Sequence, residues 1–498
     1  MYESPPHPRH HPAVPDCEQQ PQFTAVPPPA HWRYKPRRAW WRTRAVRAGA
    51  VITLLVLCAL VILAIVRDQT GTQGFLVGLG LAVLPVPLLA AAFRWLDRVE
   101  PEPWRNLAFA FAWGAFAAAL VAIIANSFAT RWIATATADP AGAESLGATV
   151  IAPVVEESAK AAAILLIFLF RRRDFTGIVD GVVVAGFTAT GFAFTENILY
   201  LGTAFGEDQA AGASGLASVT AATFFVRIVM SPFAHPLFTV LTGIGFGLAA
   251  LAPQRRPGRW RRIALPLLGL VLAMGVHALW NGSAVFGTYG FYAVYAAFMV
   301  PAFALLTWLV IWTRQRELRT IAAELPAYAA AGWLGPAEPF ALASMRARSL
   351  ARDAAARAYG SGTYGNGSGP YGSGPYGISA ASGGRAASRA AARAVAEYEV
   401  FATSLAFLRH RAHRGAVGAD FTAREQELLH HLWQRRDVAG PALEYAARAT
   451  SRVWAPPPPP WQPRPHPQPS PAPWYGPPPQ RPAPHRDHAV HNPYRQQR

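Results

Sequence analysis

Three ionisable side chains lie close together in a stretch that is otherwise apolar, from about residue 147 to residue 170. They are Glu156, Glu157 and Lys160. A charge at the centre of a bilayer costs roughly 2.5–3.5 kcal/mol on insertion scales, so a group of three indicates a function. On a helix Lys160 can neutralise one carboxylate, because it lies four residues after Glu156 and three after Glu157. The other acid would then remain available for chemistry.

Further polar residues follow on the next three apolar stretches. They are Glu196, His235, His277 and, one helical turn after His277, Asn281. If these stretches cross a bilayer in alternating directions, the acids and imidazoles of four consecutive helices lie roughly 9–15 Å below the outer surface, at 1.5 Å of rise per residue. Nothing in the composition requires that coincidence, so we expect the residues to share one site.

Carboxylates and imidazoles in a cavity suggest hydrolysis. A catalytic Zn²⁺ takes histidine nitrogen and carboxylate oxygen as ligands and keeps one position open for water. His235, His277 and one of the glutamates could supply three ligands, with another glutamate as general base on the water. The leading assignment is that Glu196, His235 and His277 hold the metal or the water and that Glu156 or Glu157 is the general base. The amide of Asn281 is suited to stabilise an oxyanion. This pattern predicts peptide-bond hydrolysis inside the membrane.

Structural roles remain open for several of these residues. His277 and Asn281 could form hydrogen bonds between helices. His235 stands between Pro232 and Pro236 and could satisfy carbonyls that the broken helix frees. A break at Pro153, next to the acids, is typical of a helix that lines a cavity.

The elements that must position these residues are membrane-spanning helices. The chain has 498 residues and is 52% hydrophobic, and its 45 prolines concentrate near the two ends. Apolar residues concentrate between Ala48 and Trp312. We predict about eight helical spans, each long enough for a bilayer core roughly 30 Å thick. They cover residues 48–66, 74–95, 105–127, 147–170, 177–202, 228–252, 263–284 and 289–312.

Loop charges predict the orientation of the chain. Arginines concentrate before the first predicted span, in the even-numbered connections and after the last span, so both termini should be cytoplasmic. The odd-numbered connections are poorer in basic residues and contain Arg67, Arg131 and Arg227. The net charge of +18 indicates topology and affinity for anionic lipid, since no nucleic-acid-binding motif accompanies it. A multi-pass protein of the plasma membrane, without a nucleic-acid partner, is therefore expected.

The resulting architecture is an all-α polytopic membrane protein. We expect a disordered Pro/Arg-rich tail at 1–47, a transmembrane domain at 48–314, Ala/Arg-rich cytoplasmic helices at 315–455 and a Pro-rich disordered tail at 456–498. The helices should be exposed, and residues 359–384 form a Gly/Tyr/Ser linker. Cys17 and Cys58 are the only cysteines in the sequence, which excludes a disulfide framework and a thiolate metal site.

The order of the polar motifs resembles the PrsW family of intramembrane proteases, relatives of the CAAX-processing proteases. The resemblance rests on Glu156-Glu157-x-x-Lys160, Phe192-x-x-x-Glu196, His235 and His277-x-x-x-Asn281, together with the loop Asp97–Pro103. It covers roughly residues 75–315. It implies proteolysis of membrane-anchored substrates, with a single-pass anti-sigma factor as the substrate of the family's namesake. In the CAAX relatives glutamate and histidine activate water without a required metal, and this chain has no His-Glu-x-x-His pair to decide the question.

Two other classes of function use the same residues. A proton- or ion-coupled transporter would use the carboxylates and imidazoles as a relay, although the chain shows no second copy of the acid-bearing spans. A non-catalytic membrane scaffold would recruit partners through its arginine-rich tail and would tolerate loss of the polar cluster.

Overall fold

A computed structural model describes residues 44–171, 175–252, 260–360, 384–415 and 421–454. Within these ranges the regular structure is helical and no strand is present, which confirms the predicted all-α fold class. The predicted disordered tails and the Gly/Tyr/Ser linker lie almost entirely outside the described residues.

Seventeen α-helices make up the described part of the chain. They are α1 (Arg44–Ala82), α2 (Pro85–Leu96), α3 (Trp104–Ala112), α4 (Ala119–Thr137), α5 (Pro140–Leu146), α6 (Ala152–Phe170), α7 (Ile178–Ala211), α8 (Val219–Phe224), α9 (Ala234–Leu251), α10 (Arg261–Ser283), α11 (Gly287–Val294), α12 (Val300–Glu324), α13 (Pro326–Ala330), α14 (Glu338–Leu342), α15 (Met345–Gly360), α16 (Gly384–His413) and α17 (Phe421–Trp454). Short π-helical segments connect several of them, at Trp113–Ala118, Gly147–Ile151, Phe225–Met230 and Tyr295–Met299.

Five helical stretches of the described residues are long and apolar enough to cross a membrane. They are Ala45–Leu96, Trp104–Thr137, Ile178–Ala211, Val219–Leu251 and Arg261–Ala330. Large apolar side chains on the first of them are open to the surroundings, as lipid-facing residues are, and Leu60 is 64% exposed. The eight predicted spans overlap helices, but residues 147–170, which form a π-helical segment and α6, are not among these five stretches. The number of crossings stays a prediction.

Helix α7 is the central helix of the membrane part. Every residue from Val179 to Ala193 is buried, as expected for a helix that is apolar on all sides. Its contact with α9 requires glycine, because a Cβ atom on Gly243 would come within 2.2 Å of the Gly181 carbonyl oxygen. This backbone contact fixes α9, which carries His235, against α7, which carries Glu196.

The C-terminal helices form a packed domain. Ile321 at the end of α12, Tyr398 on α16 and Leu443 on α17 belong to one buried apolar cluster, which we call the C-terminal core. The expectation of exposed helices was therefore wrong. Alanine-rich faces that look weakly amphipathic one helix at a time become buried when α15, α16 and α17 pack together.

The loop Asp97–Pro103 joins this domain to the membrane part. Val99 lies in the C-terminal core, and its carbonyl oxygen accepts a hydrogen bond from Arg348 Nη1 at 3.0 Å. Nearby, Glu100 accepts hydrogen bonds from the hydroxyl groups of Ser404, at 2.7 Å, and Thr176, at 3.0 Å. One short loop therefore contacts both halves of the protein.

Arg348 is the central residue of this junction. Its side chain also donates to the Leu342 carbonyl oxygen at 2.7 Å and to the Thr403 hydroxyl at 2.8 Å. The residue is only 2% exposed, and burial lowers the pKa of Arg348 to about 10, which leaves the guanidinium protonated at neutral pH. A buried charge of this kind is stable only while its donors are satisfied.

Replacing Arg348 by methionine is expected to lower the free energy of unfolding by about 3 kcal/mol or more. The change leaves buried carbonyl oxygens of Val99 and Leu342 without this donor, and each such loss costs about 1–3 kcal/mol. Thermal unfolding in detergent micelles measures the effect. Arg346→Met, at an exposed position of the same helix, is the matched control. Equal midpoints for the two variants would contradict the described junction.

Candidate active site

Four helices bring six of the seven predicted site residues together. Helix α6 supplies Glu156, Glu157 and Lys160, α7 supplies Glu196, α9 supplies His235 and α10 supplies His277; we call these six residues the Glu–His cluster. The π-helical segment Gly147–Ile151 ends immediately before α6, and Pro153 lies in the first turn of that helix. The acids therefore follow a break in the regular helix, as the sequence indicated.

Lys160 lies at the centre of the cluster. Its ammonium group donates to Glu157 Oε1 at 2.9 Å and to Glu156 Oε2 at 3.4 Å. It also lies 3.2 Å from His235 Nδ1 and 3.9 Å from the centroid of the Phe192 ring. The side chain is fully buried. The expected neutralisation of a carboxylate by Lys160 is thus present, and Lys160 contacts both acids.

Glu157 is held by several donors. Besides Lys160, the Thr239 hydroxyl donates to Glu157 Oε2 at 2.8 Å, and His277 Nδ1 lies 3.1 Å from Glu157 Oε1. With Nδ1–H donated to Glu157, the opposite ring nitrogen of His277 faces Glu156 Oε2 at 3.9 Å. A carboxylate that orients an imidazole in this way is a common partner of metal-ligating histidine.

Glu196 lies on the other side of His235. Its Oε2 atom is 2.6 Å from His235 Nε2 and 2.5 Å from Nη2 of Arg227. Arg227 also donates from Nε to Asn197 Oδ1 at 2.8 Å, and its guanidinium lies 3.9 Å from the centroid of the Tyr200 ring. Glu196 therefore already pairs with both Arg227 and His235.

Glu156, His235 and His277 together form a group that could hold a metal ion. One ligand atom from each lies within 4.8 Å of the other two, which is the spacing of a possible metal site. This set differs from the predicted ligands, because Glu156 takes the place of Glu196. The physical reason is that Glu196 already pairs with Arg227 and with the outer nitrogen of His235.

The chemistry of the donors also suits a metal. Two imidazole nitrogens and one carboxylate oxygen are ligands that Zn²⁺ takes.

Asn281 lies outside this set of contacts. Its amide nitrogen donates to the Ala148 carbonyl oxygen at 2.9 Å, in the π-helical segment before α6. In this structure Asn281 therefore links α10 to the start of α6, which matches the alternative of a hydrogen bond between helices.

Three contacts of the site were missed from the sequence. Thr239 lies one turn after His235 on the same helix, and this spacing is the only local signal for it. Arg227 was visible as a basic residue in a connection where few were expected. Phe238 stacks on His277 with ring centroids 4.6 Å apart, and one apolar residue among many carries no signal.

The part of the chain that carries the cluster is similar to known proteins. Residues 102–306, which include all seven predicted site residues, match the family described as PrsW family intramembrane metalloprotease. The chain is also similar to "Protease PrsW" of Geobacillus kaustophilus (strain HTA426), with 29% identity over 185 residues, which is 37% of this chain and 72% of the relative. No solved structure matches the chain.

Proposed function

Through residues 102–306 the chain belongs to the PrsW family of intramembrane metalloproteases, and we propose that its Glu–His cluster hydrolyses peptide bonds of membrane-anchored proteins in the outer half of the bilayer. The observation that supports this proposal is the meeting of Glu156, His235 and His277 within 4.8 Å of one another. Family membership favours the peptidase over a transporter or a scaffold.

We infer that Glu156, His235 and His277 would hold a Zn²⁺ ion. When bound, such an ion polarises a carbonyl group and lowers the pKa of its water to about 7. Glu157 and Thr239 would stabilise the site without contacting the ion. Glu157 orients His277 and accepts a hydrogen bond from the Thr239 hydroxyl. Lys160 keeps the two glutamates close despite their like charges.

Of the two adjacent glutamates, Glu156 is the better candidate to contact the reacting water. Its contacts are looser than those of Glu157: Lys160 at 3.4 Å and His277 at 3.9 Å. Glu157 has donors within 3.1 Å on both oxygens. In a metal-independent mechanism Glu156 would accept the proton of the water. Asn281 remains a proposed oxyanion donor, which requires it to leave the Ala148 carbonyl.

Access to the cluster favours the side of Glu196 and His235. Their side chains are 17% and 13% exposed, whereas Lys160 and Glu157 are fully buried. A substrate segment would approach from this side. We propose single-pass membrane proteins as substrates, with an anti-sigma factor as one class. The arginine distribution supports a plasma-membrane protein with both termini in the cytoplasm.

Chelation tests the function and the metal together. The full-length protein is reconstituted in lipid vesicles with single-pass candidate substrates, and cleavage is measured by gel and mass spectrometry. A strong chelator should abolish cleavage, and added Zn²⁺ should restore it, since both imidazoles and Glu156 are expected to bind the ion. His277→Ala should abolish cleavage in both conditions.

Glu144→Gln, at an exposed position of α5, is the control for this series. If cleavage survives complete metal removal and His277→Ala is inactive, the proposed peptidase function stands and the proposed zinc site is excluded. Full cleavage by His277→Ala would exclude the proposed site.

A further inference from the structure

Arg227 departs from the charge pattern of the chain. It is a basic residue in a connection predicted to lie on the outer side, where few arginines occur. In the structure it lies in the π-helical segment Phe225–Met230, immediately before the turn that leads into α9 and His235. π-Helical turns are frequent at functional sites, because they redirect side chains out of the regular helical pattern.

The contacts of Arg227 converge on one face of α7. Nη2 reaches Glu196 at 2.5 Å, Nε reaches Asn197 at 2.8 Å, and the guanidinium covers the Tyr200 ring. The planar guanidinium group can make all three contacts in one orientation, because it donates two hydrogen bonds along its edge and covers the tyrosine ring with its face. The geometry therefore fixes the position of Glu196 as well as its charge.

The same Glu196 oxygen that receives Arg227 also contacts His235. Glu196 Oε2 lies 2.6 Å from His235 Nε2, so Nε2–H is the donor and Nδ1 is left as the acceptor. Nδ1 lies 3.2 Å from Lys160 Nζ and faces the interior of the Glu–His cluster. A chain of contacts thus runs from Arg227 through Glu196 to His235, whose Nδ1 atom faces the cluster.

We propose that Arg227 is a positioning residue for the peptidase site: it holds Glu196 in the orientation that presents His235 Nδ1 to Glu156 and His277. This inference rests on the proposed function of the cluster. Arg227 itself is not expected to touch the scissile bond. Without it, Glu196 would lose its cationic partner and His235 could rotate or change tautomer.

Arg227→Gln should lower kcat by about 10–100-fold, the usual cost of removing a group that orients a site ligand, and should leave KM within about threefold. Arg227→Lys should give an intermediate kcat, because an ammonium restores the charge beside Glu196 without the fork that also reaches Asn197. Arg131→Gln is the matched control, since Arg131 is another basic residue of an odd-numbered connection and donates to the exposed carbonyl oxygen of Ser127 in its own helix.

A double variant separates positioning from general stability. If Arg227 acts through Glu196, then Arg227→Gln/Glu196→Gln should be no less active than Glu196→Gln alone. Activities are measured in lipid vesicles, and the folded fraction of each variant is measured by thermal unfolding. Arg227→Lys keeps the test decisive if Arg227→Gln does not accumulate as folded protein.

Two results would overturn the inference. One is a wild-type kcat for Arg227→Gln or Arg227→Lys while Glu156→Gln is inactive, which would leave the proposed function intact. The other is strictly multiplicative losses for Arg227→Gln and Glu196→Gln in the double variant. Full activity of His277→Ala would instead contradict the proposed function itself.

Discussion

Replacing Glu156 by glutamine is expected to lower the rate of peptide cleavage by about 100-fold or more, because general acid–base or ligand chemistry at this carboxylate contributes about 10²–10⁴-fold. The unfolding midpoint should stay close to that of the wild type. Lys160 retains its shorter contact with Glu157, so the buried ion pair of α6 survives the change.

The adjacent substitution should behave differently. Glu157→Gln removes the charge that Lys160, Thr239 and His277 all contact, so it should lower both activity and thermal stability. Single-turnover cleavage and thermal unfolding, measured on the same preparations, distinguish the two glutamates. Glu144→Gln again serves as control. If Glu156→Gln cleaved at the wild-type rate and Glu157→Gln did not, their proposed roles would be reversed.

Substituting Lys160 by methionine is expected to lower the free energy of unfolding by about 3–5 kcal/mol, the usual effect of removing one partner from a buried ion pair. The loss is large because the buried carboxylates of Glu156 and Glu157 then lie near each other without the ammonium group that pairs with both. Cleavage should also be abolished. Thermal unfolding in detergent micelles and cleavage in vesicles measure the two effects.

Arginine should not replace this lysine. Lys35 and Lys160 are the only lysines in the sequence, whereas arginine is abundant. The Lys160 side chain is fully buried beside two carboxylates and the Phe192 ring. A guanidinium is larger and planar, and extra volume at a buried position costs stability. We expect Lys160→Arg to be inactive.

A second substitution tests the electrostatic explanation. Lys160→Met/Glu157→Gln should recover part of the lost stability, because one of the two unbalanced charges is removed, and it should remain inactive. A wild-type unfolding midpoint for Lys160→Met would contradict the described ion pair.

The sequence was sufficient to predict the elements and the membership of the cluster. Long apolar stretches specify membrane helices, since every backbone polar group must be satisfied inside the segment. The cost of burying charge then predicted a function for Glu156, Glu157, Lys160 and Glu196, and equal depth on neighbouring helices predicted that they meet His235 and His277. These inferences need only local composition and a constant rise per residue.

The pairing of side chains depended on the tertiary structure. Depth along an axis does not specify how each helix is rotated, and that rotation is set by contacts such as Gly181 against Gly243. It decided that Glu156, rather than Glu196, lies with the two imidazoles, that Arg227 points to Glu196, and that Asn281 contacts a backbone carbonyl. It also decided that the C-terminal helices are packed, because an alanine-rich face is buried only when a partner helix covers it. Residue type and depth are therefore local properties of the chain, whereas the choice of partner is a property of packed helices.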